Sequence, residues 1–352
     1  MTDRMLSTRA LNRALLARQL LLERSDLDLT AALEQVAGLQ TQYAPSAYIG
    51  LWSRLNDFER PQLTRALEQR RAVQATLMRS TIHVVSVRDF HLFAAGVREH
   101  RRTWWERIAR VRRIDADMID VAAVVRTRLA DGPQRRRDLV TALTDAGYDK
   151  ALWEGVGLWL DMVRVPPSGT WERRRADLYG LAEAWLDPAE VTSGEGLEHL
   201  VTRYLRAFGP APLADVANWA GVTVTMLQPV VERLPLRRFR DEDGGDLLDV
   251  PDGVLPDPET PAPVRFLPTW DATLLVHARR TQILPERYRS LVFSTKNPHS
   301  TPTFLVDGQV AGAWRYDKGE ITLDPYGDLA GDDREALEHE AKALAAFHHD
   351  AR

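Results

Sequence analysis

Residues 213–234, LADVANWAGVTVTMLQPVVERL, contain the pattern on which the fold prediction depends. Apolar side chains recur at helical spacing on both sides of Gly221-Val222-Thr223, which has the composition of a tight turn. The spacing predicts a short helix over Leu213–Ala220 and a second helix over Thr223–Leu234. Two helices joined by so short a turn have helix-turn-helix spacing.

Strand-forming residues follow this helix pair at 236–239 and 247–250, on either side of an acidic tip. Helices followed by a two-stranded hairpin form the winged-helix plan, and this order of elements occurs twice more upstream. Near the N-terminus, helical patterns that begin with Ser7 as an N-cap give way to alternation at 73–77 and to a β-branched run at 81–85.

The second copy of this order lies in the middle of the chain. Helical spacing predicts helices over Asp120–Arg128, Pro133–Ala146 and Leu152–Met162. Strand patterns at 163–165 and 170–172 flank a Pro-Pro-Ser-Gly sequence and predict a hairpin. The three copies share an order of elements and show no obvious sequence identity to one another.

The C-terminal part has a different pattern. Residues 251–263 hold five Pro and one Gly and predict a linker. Strand patterns then occur at Val264–Leu267, Thr273–Val276, Leu291–Ser294, Thr303–Val306, Val310–Tyr316 and Glu320–Leu323. Asp307-Gly308 between two of them is a strong hairpin signal, and an amphipathic helix is expected over Asp332–His349.

These patterns predict an α+β protein with three tandem winged-helix motifs, a C-terminal β-barrel-like region and a closing helix. A chain of 352 residues is long enough for two or three domains. The predicted units are 1–115, with the first winged helix and a basic helix, 116–190 and 191–255, with the second and third winged helices, and 256–352, with the β-rich region and terminal helix.

The composition excludes several classes of chemistry. The sequence has no Cys, so disulfides, thiolate zinc sites, cysteine nucleophiles and the zinc-dependent deaminase route to base chemistry are excluded. Residue spacing shows no metal-ligand set, Gly-rich phosphate loop or serine nucleophile motif, so no cofactor is expected. No apolar run reaches the roughly 18 residues that span a membrane. We also expect no signal peptide, no membrane partner and a cytoplasmic location.

Charge is distributed unevenly along the chain. The net charge is −4, yet residues 1–115 hold 19 Arg against 12 Asp and Glu, a balance of +7, which leaves −11 for the remainder. The asymmetry indicates an anionic partner for the N-terminal part, although solvated basic helix faces explain it equally well. Arg outnumbers Lys by 42 to 4, a bias that a GC-rich coding sequence explains as well as function does.

Gln40-Thr41-Gln42 is the first candidate site. Two Gln at i and i+2 near a predicted helix end place both amides on one side of the turn. Each amide offers a donor and an acceptor, so the pair is able to orient one water molecule without charge. Such weak activation suffices only where the leaving group is already good, as a cationic N7-alkylated purine is. An ordinary polar helix terminus is the alternative explanation.

Three residues near the first predicted hairpin form a second candidate site. Arg79, Thr81 and His83 alternate onto one face of a predicted strand. That face meets either a DNA backbone or the catalytic pocket, and a polar outer face of the hairpin is the alternative.

Two basic clusters complete the candidates. Arg101 and Arg102 belong to a dense basic run over 98–113 that also holds two Trp, and interleaved basic and aromatic residues are typical of nucleic-acid binding. A solvated helix face with Trp packed inward explains the same run. Arg135 and Arg136 belong to a second basic cluster, in the second predicted unit.

Four sequence blocks resemble one known family, the winged-helix DNA glycosylases typified by AlkZ. The blocks are GLQTQ at 38–42, MRSTIH at 78–83, LPTWDATLL at 267–275 and VDGQVAGAWR at 306–315. The resemblance implies three tandem winged-helix motifs and a β-barrel region that together form a concave DNA-binding body. It also implies excision of bulky N7-alkylguanine or N3-alkyladenine lesions, including the unhooking of interstrand crosslinks.

The resemblance assigns roles to particular residues. In the branch of the family with a Gln-x-Gln motif, the two amides hold the catalytic water, which implies this role for Gln40 and Gln42. Thr41 stands where the family usually has an apolar residue, and this departure concerns fine specificity. The hairpin at Asp307-Gly308 matches a region that can reach DNA in relatives, and we expect it to be a positioning element.

We therefore predict a monofunctional DNA glycosylase that acts as a monomer on double-stranded DNA containing alkylated purines. No Lys lies near the Gln motif to form a Schiff base, since the nearest in sequence is Lys150. A winged-helix transcription regulator or non-catalytic DNA-binding protein is the alternative, because a fold does not fix a function. A protein-interaction scaffold is the third candidate.

Overall fold

The computed structural model describes residues 4–278, 281–293 and 300–349. The helices are α1 (Thr8–Arg18), α2 (Leu29–Gln35), α3 (Pro45–Trp52), α4 (Arg60–Glu68), α5 (Val87–Val111), α6 (Met118–Ala130), α7 (Arg136–Asp145), α8 (Trp153–Val156), α9 (Ala182–Trp185), α10 (Ser193–Phe208), α11 (Leu213–Ala220), α12 (Val224–Arg233), α13 (Arg289–Val292) and α14 (Gly331–His349). The strands are β1 (Arg4–Leu6), β2 (Leu39–Gln40), β3 (Ala72–Thr76), β4 (Ile82–Ser86), β5 (Gln134–Arg135), β6 (Met162–Arg164), β7 (Leu178–Leu181), β8 (Arg237–Asp241), β9 (Asp246–Asp249), β10 (Arg265–Leu267), β11 (Thr303–Val306), β12 (Gln309–Asp317) and β13 (Glu320–Pro325). The predicted α+β class is confirmed.

The helix-turn-helix predicted from residues 213–234 is confirmed. Gly221 joins α11 to α12 with a left-handed φ of 73°, a conformation that costs little only without a Cβ. The Thr223 side chain caps α12 by accepting the backbone N–H of Met226. β8 and β9 then form the predicted hairpin, and β1 pairs with β8 in parallel. The chain's first described strand thus completes the sheet behind the helix pair.

One six-stranded sheet runs through the first two predicted units, in the order β2-β4-β3-β6-β7-β5. β3 and β4 form the hairpin predicted from the alternating sequence. The two halves of the sheet join where Gln74 of β3 pairs with Arg164 of β6. The short strand β2 lies at one edge and places Gln40 directly opposite His83 of β4.

The predicted second hairpin is wrong in its return strand. The partner of β6 is β7, which begins six residues after the end of the predicted strand at 170–172. Trp171 is instead buried against Tyr48 and Phe347, with ring centroids 5.7 and 5.6 Å away. This packing overrides local strand propensity. The helix expected over Leu152–Met162 is also shorter, because α8 ends before the chain turns to bring β6 into the sheet.

The C-terminal sheet is antiparallel, in the order β10-β11-β12-β13. Its predicted Asp307-Gly308 turn is confirmed, with both residues at positive φ. The turn packs on α1, because Asp307 forms ion pairs with Arg9 and Arg13 and Asn12 donates to the Gly308 carbonyl over 2.8 Å. α14, also predicted, covers this sheet.

Two segments predicted as strands in this region have other structures. Residues 272–274 form a 3₁₀ turn capped by Asp271, and residues 289–292 form α13. Their apolar side chains at Leu274, Val276 and Val292 are buried, so burial rather than pairing explains the β-like pattern. Ser294, the end of the second segment, lies outside the described residues. Barrel closure, the number of winged-helix motifs and the unit boundaries stay predictions.

Helices α5 and α10 form the central contact of the molecule. They cross at Gly96 and Gly196, where a Cβ on Gly196 would lie 2.3 Å from the backbone nitrogen of Gly96. The two backbones therefore touch, which is possible only with glycine at the crossing. Phe93, Tyr204 and Trp219 pack beside it in an apolar core that also holds one face of β3 and β4.

Candidate active site

Gln40 lies on the edge strand β2 and is 7% exposed. The sequence placed it at a helix end, which is wrong: α2 stops at Gln35, and the chain turns through Gly38 into β2. Directly opposed residues of an antiparallel pair share a face of the sheet, so the side chains of Gln40 and His83 lie next to each other.

Gln42 is exposed and follows the strand after the buried Thr41. Its Oε1 accepts the backbone N–H of Ile82 over 2.7 Å, and the backbone N–H of Thr41 donates to the Ile82 carbonyl over 2.7 Å. The Gln42 side chain therefore takes the place of a backbone carbonyl and extends the hydrogen-bond ladder along β4. This contact fixes the amide at the open end of the sheet edge.

Arg79 contacts the buried amide. One guanidinium nitrogen donates to Gln40 Oε1 over 3.2 Å, and another donates to the Trp219 carbonyl at the end of α11 over 3.0 Å. The side chain thus ties the Gln motif to the helix-turn-helix. It also orients the Gln40 amide, because the guanidinium has only donors and so faces the oxygen rather than the nitrogen.

The predicted alternation of Arg79, Thr81 and His83 on one strand is wrong. Residues 78–80 form a 3₁₀ turn, with Arg79 at φ 50° and Ser80 at φ 61°. Left-handed backbone at two consecutive residues breaks the period of a strand. Thr81 precedes β4 and donates its hydroxyl to the Met78 carbonyl over 3.0 Å, which leaves His83 as the member of the three that lies within the strand.

His83 is a buried, neutral histidine. Burial lowers its pKa to about 3, and the positive charges of Arg79 and Arg101 act in the same direction. Its Nδ1 lies 3.1 Å from the Thr81 carbonyl, which only accepts, so Nδ1 carries the proton. In the neutral ring Nε2 is then an acceptor. The side chain brings a hydrogen-bond acceptor without charge to the face that it shares with Gln40.

The basic run on α5 makes contacts within the chain. Arg101 donates to the Leu77 carbonyl over 3.0 Å, and burial lowers its pKa to about 10, which leaves it charged at neutral pH. Arg102 donates to the Leu158 carbonyl over 2.7 Å and lies over the Trp159 ring. DNA contact by these two side chains stays a prediction.

Arg135 and Arg136 are exposed at the start of α7, which begins three residues later than predicted because Gln134 and Arg135 form β5. Arg135 forms an ion pair with Asp177 over 3.2 Å. The register of β5 with β7 puts these arginines near the edge of the six-stranded sheet that lies opposite β2.

Sequence reasoning missed Tyr43, the residue after Gln42. Tyr43 is 42% exposed, its hydroxyl accepts from Arg174 over 2.7 Å, and the Arg174 guanidinium lies 5.6 Å from its ring centroid. The two residues are 131 positions apart, so no local signal connects them. The one signal in the sequence is that an aromatic residue directly follows the Gln motif.

The described residues contain neither a metal-ligand cluster nor a membrane-spanning helix. Within residues 4–278, 281–293 and 300–349, no three His, Asp or Glu side chains are grouped to hold a metal ion. Over those same residues, none of the helices combines the length and apolar character that crossing a bilayer requires.

Comparison with known proteins identifies the class and then the family. A sequence model for DNA glycosylases described as AlkZ-like matches residues 33–347. The chain therefore belongs to the AlkZ-like DNA glycosylase family, and the predicted enzyme class, with DNA as its substrate, is confirmed. The regulator and scaffold alternatives do not account for this match.

A solved structure shares the fold. The Streptomyces sahachiroi DNA glycosylase AlkZ superposes with a TM-score of 0.81 at 18% sequence identity, over 98% of this chain and 97% of that chain. At this identity the likeness establishes the architecture. The search of curated protein sequences found no match.

Proposed function

We propose that this enzyme is a monofunctional DNA glycosylase that hydrolyses the N-glycosidic bond of N7-alkylated purines, with Gln40 and Gln42 orienting the attacking water. The observation that carries the proposal is the pair of fixed amides at the sheet edge. Gln40 is buried and held by Arg79, whereas Gln42 is exposed and held by the backbone of Ile82. Each carbonyl oxygen has two lone pairs, so both amides keep donor and acceptor capacity.

The uncharged amides of Gln40 and Gln42 suit a substrate whose base is already a good leaving group. An N7-alkylated purine is cationic and leaves as a neutral base, while positive charge develops on the sugar. The site then has to hold a water molecule about 3 Å from C1′. The neutral His83 adds a hydrogen-bond acceptor that helps to orient the water on the face that Gln40 occupies, and the proton that the water loses passes to solvent. The product is an abasic site.

We infer the absence of a lyase step from the positions of the lysines in the sequence. A bifunctional glycosylase needs an amine that forms a Schiff base with the sugar. The chain has four Lys, and the nearest in sequence to Gln42 is Lys150. Borohydride added during the reaction should trap no covalent adduct between the protein and DNA.

The test uses a duplex with a single N7-methylguanine and a second duplex with an N7-guanine interstrand crosslink. Abasic products are cleaved with alkali under single-turnover conditions. Gln40→Ala and Gln42→Ala should lose excision and keep binding to undamaged DNA. Gln69→Ala, an exposed amide at the end of α4, is the matched control and should excise as the wild type does.

The outcomes separate the parts of the proposal. Excision of methylguanine that survives both substitutions would remove the water-binding role of the amides. Wild-type binding without excision of either lesion would refute N7-alkylpurine as the substrate. Cleavage of the crosslinked duplex by the wild type would add crosslink unhooking, which we propose as part of the lesion range.

Two further properties complete the proposal. We expect the enzyme to act as a monomer, because one chain supplies both amides and the residues that hold them. Light scattering should then give a mass near 39.8 kDa in the presence and absence of a short duplex, after the mass of the DNA is subtracted. We also propose a cytoplasmic location for the enzyme.

A further inference from the structure

A loop with three consecutive exposed arginines connects β6 to β7. Arg173, Arg174 and Arg175 line a surface cleft of about 210 Å³, together with Arg135 from the end of β5. Among the described residues that line this cleft, the only carboxylate is Asp177. Four guanidinium groups around one carboxylate leave the cleft strongly positive.

The loop is held in place by the protein rather than by a ligand. Ser168 Oγ accepts the backbone N–H groups of Asp177 and Leu178 over 2.9 and 3.1 Å, and donates to the Arg175 carbonyl over 2.7 Å. Gly169 has a left-handed φ of 79°, and a Cβ there would lie 2.0 Å from Gln74 Oε1. The loop therefore rests on the buried side chain of Gln74, in the middle of the sheet.

The ion pairs within the cleft do not neutralise all of its positive charge. Asp177 pairs with Arg135 over 3.2 Å and with Arg175 over 3.0 Å. Both arginine side chains stay half or more exposed, and Asp177 neutralises only one charge between them. Exposed guanidinium groups suit the oxygens of a phosphodiester, to which Arg donates through two nitrogens at once.

One side chain of the cleft contacts the residue that follows the Gln motif. Arg174 lines the cleft and donates to the hydroxyl of Tyr43, which directly follows Gln42. We propose that this cleft binds a backbone phosphate of the DNA duplex close to the lesion. The inference deepens the proposed function and rests on it for the identity of the lesion, but phosphate binding itself needs no lesion.

The test therefore measures binding of the full-length protein to an undamaged duplex by fluorescence anisotropy, between 50 and 200 mM salt. Each lost phosphate contact lowers the slope of log Kd against log salt by about 0.9. Arg173→Ala/Arg175→Ala should lower the slope by at least this amount and weaken binding at low salt. The matched control Arg334→Ala/Lys342→Ala removes the same charge from exposed positions on α14 that do not line the cleft.

The results separate this inference from the proposed function. A slope equal to that of the wild type, in a cleft variant with the wild-type unfolding midpoint, would overturn the inference whatever the excision assay shows. An equal change in the control variant would overturn it too, since the effect would then be one of net charge. A reduced slope with no excision of N7-alkylpurine by the wild type would support the phosphate cleft and reject the proposed lesion.

Discussion

Arg79 connects the Gln motif to the helix-turn-helix through one side chain. Its guanidinium spans Gln40 Oε1 and the Trp219 carbonyl, two acceptors that a single ammonium group cannot reach in the same geometry. Arg79→Lys should therefore slow single-turnover excision by about 10- to 100-fold, the equivalent of the roughly 1.5–3 kcal/mol of a charged hydrogen bond. DNA affinity should change less than the rate. A lysine variant with the wild-type rate would show that the amide needs no such support.

The lowered pKa of His83 predicts how the stability of the fold depends on pH. Its pKa in the folded protein is about 3, far below the ordinary value of 6.5. The unfolded chain therefore binds a proton below pH 6.5 that the folded chain does not, and stability that is present above pH 6.5 is lost as pH falls toward 3. Between pH 7 and pH 5 this loss is about 2 kcal/mol.

The measurement compares urea unfolding of the wild type and His83→Gln at both pH values. The wild type should lose about 2 kcal/mol more than the variant, because all other titrating groups are common to the two proteins. Equal losses would mean that the pKa of His83 is not lowered in the folded state. It would then be protonated at pH 5 and would not serve there as a neutral acceptor beside Gln40.

At the scale of elements, the crossing of α5 and α10 depends on two glycines. A methyl group at position 196 would lie 2.3 Å from the Gly96 nitrogen, so Gly196→Ala must push the helices apart. We expect a loss of about 1–3 kcal/mol in the free energy of unfolding, as in other overpacked cores. Gly194→Ala is the control on the same helix, because its Cβ would meet only Thr192 Oγ1, at 4.0 Å. That change should alter stability by less than about 1 kcal/mol. Equal effects of the two substitutions would contradict close backbone packing at the crossing.

Caps and turns were predicted from adjacent residues, whereas elements that depend on distant residues were missed. The Ser7 cap, the Gly221 turn and the Asp307-Gly308 turn are each decided by a few adjacent residues, and each was predicted correctly. β2 was missed because it is two residues long and exists through pairing with β4, more than 40 positions later. The turn at Arg79 was missed for a related reason: non-glycine residues adopt positive φ only where the surroundings hold them there.

At the scale of the whole molecule, the candidate site depends on contacts that no local pattern contains. The resemblance singled out Gln40 and Gln42, but the burial of one and the exposure of the other follow from the sheet edge. The Tyr43–Arg174 contact joins the first and second predicted units, and the Arg79–Trp219 contact joins the first and third. Residue identity therefore predicted the enzyme class, whereas the geometry of the site depends on contacts between distant parts of the chain.

A buried ion pair between the first predicted unit and the C-terminal region leads to a prediction about stability. Arg54, just after α3, and Asp271, just after the C-terminal strand β10, are paired over 3.0 Å with side chains that are 1% and 0% exposed. Asp271→Asn leaves the guanidinium buried without a counter-charge, which should cost about 3–5 kcal/mol. Asp246→Asn, which breaks an exposed pair with Arg240, should cost no more than about 1 kcal/mol.

Because this ion pair joins the first predicted unit to the C-terminal region, its loss should destabilise both together. Urea unfolding followed by circular dichroism and by tryptophan fluorescence should then show coincident curves that shift as one transition. Two separate transitions in Asp271→Asn, with one unchanged from the wild type, would mean that the C-terminal region folds independently. The pair would in that case be a contact between two independently folding domains.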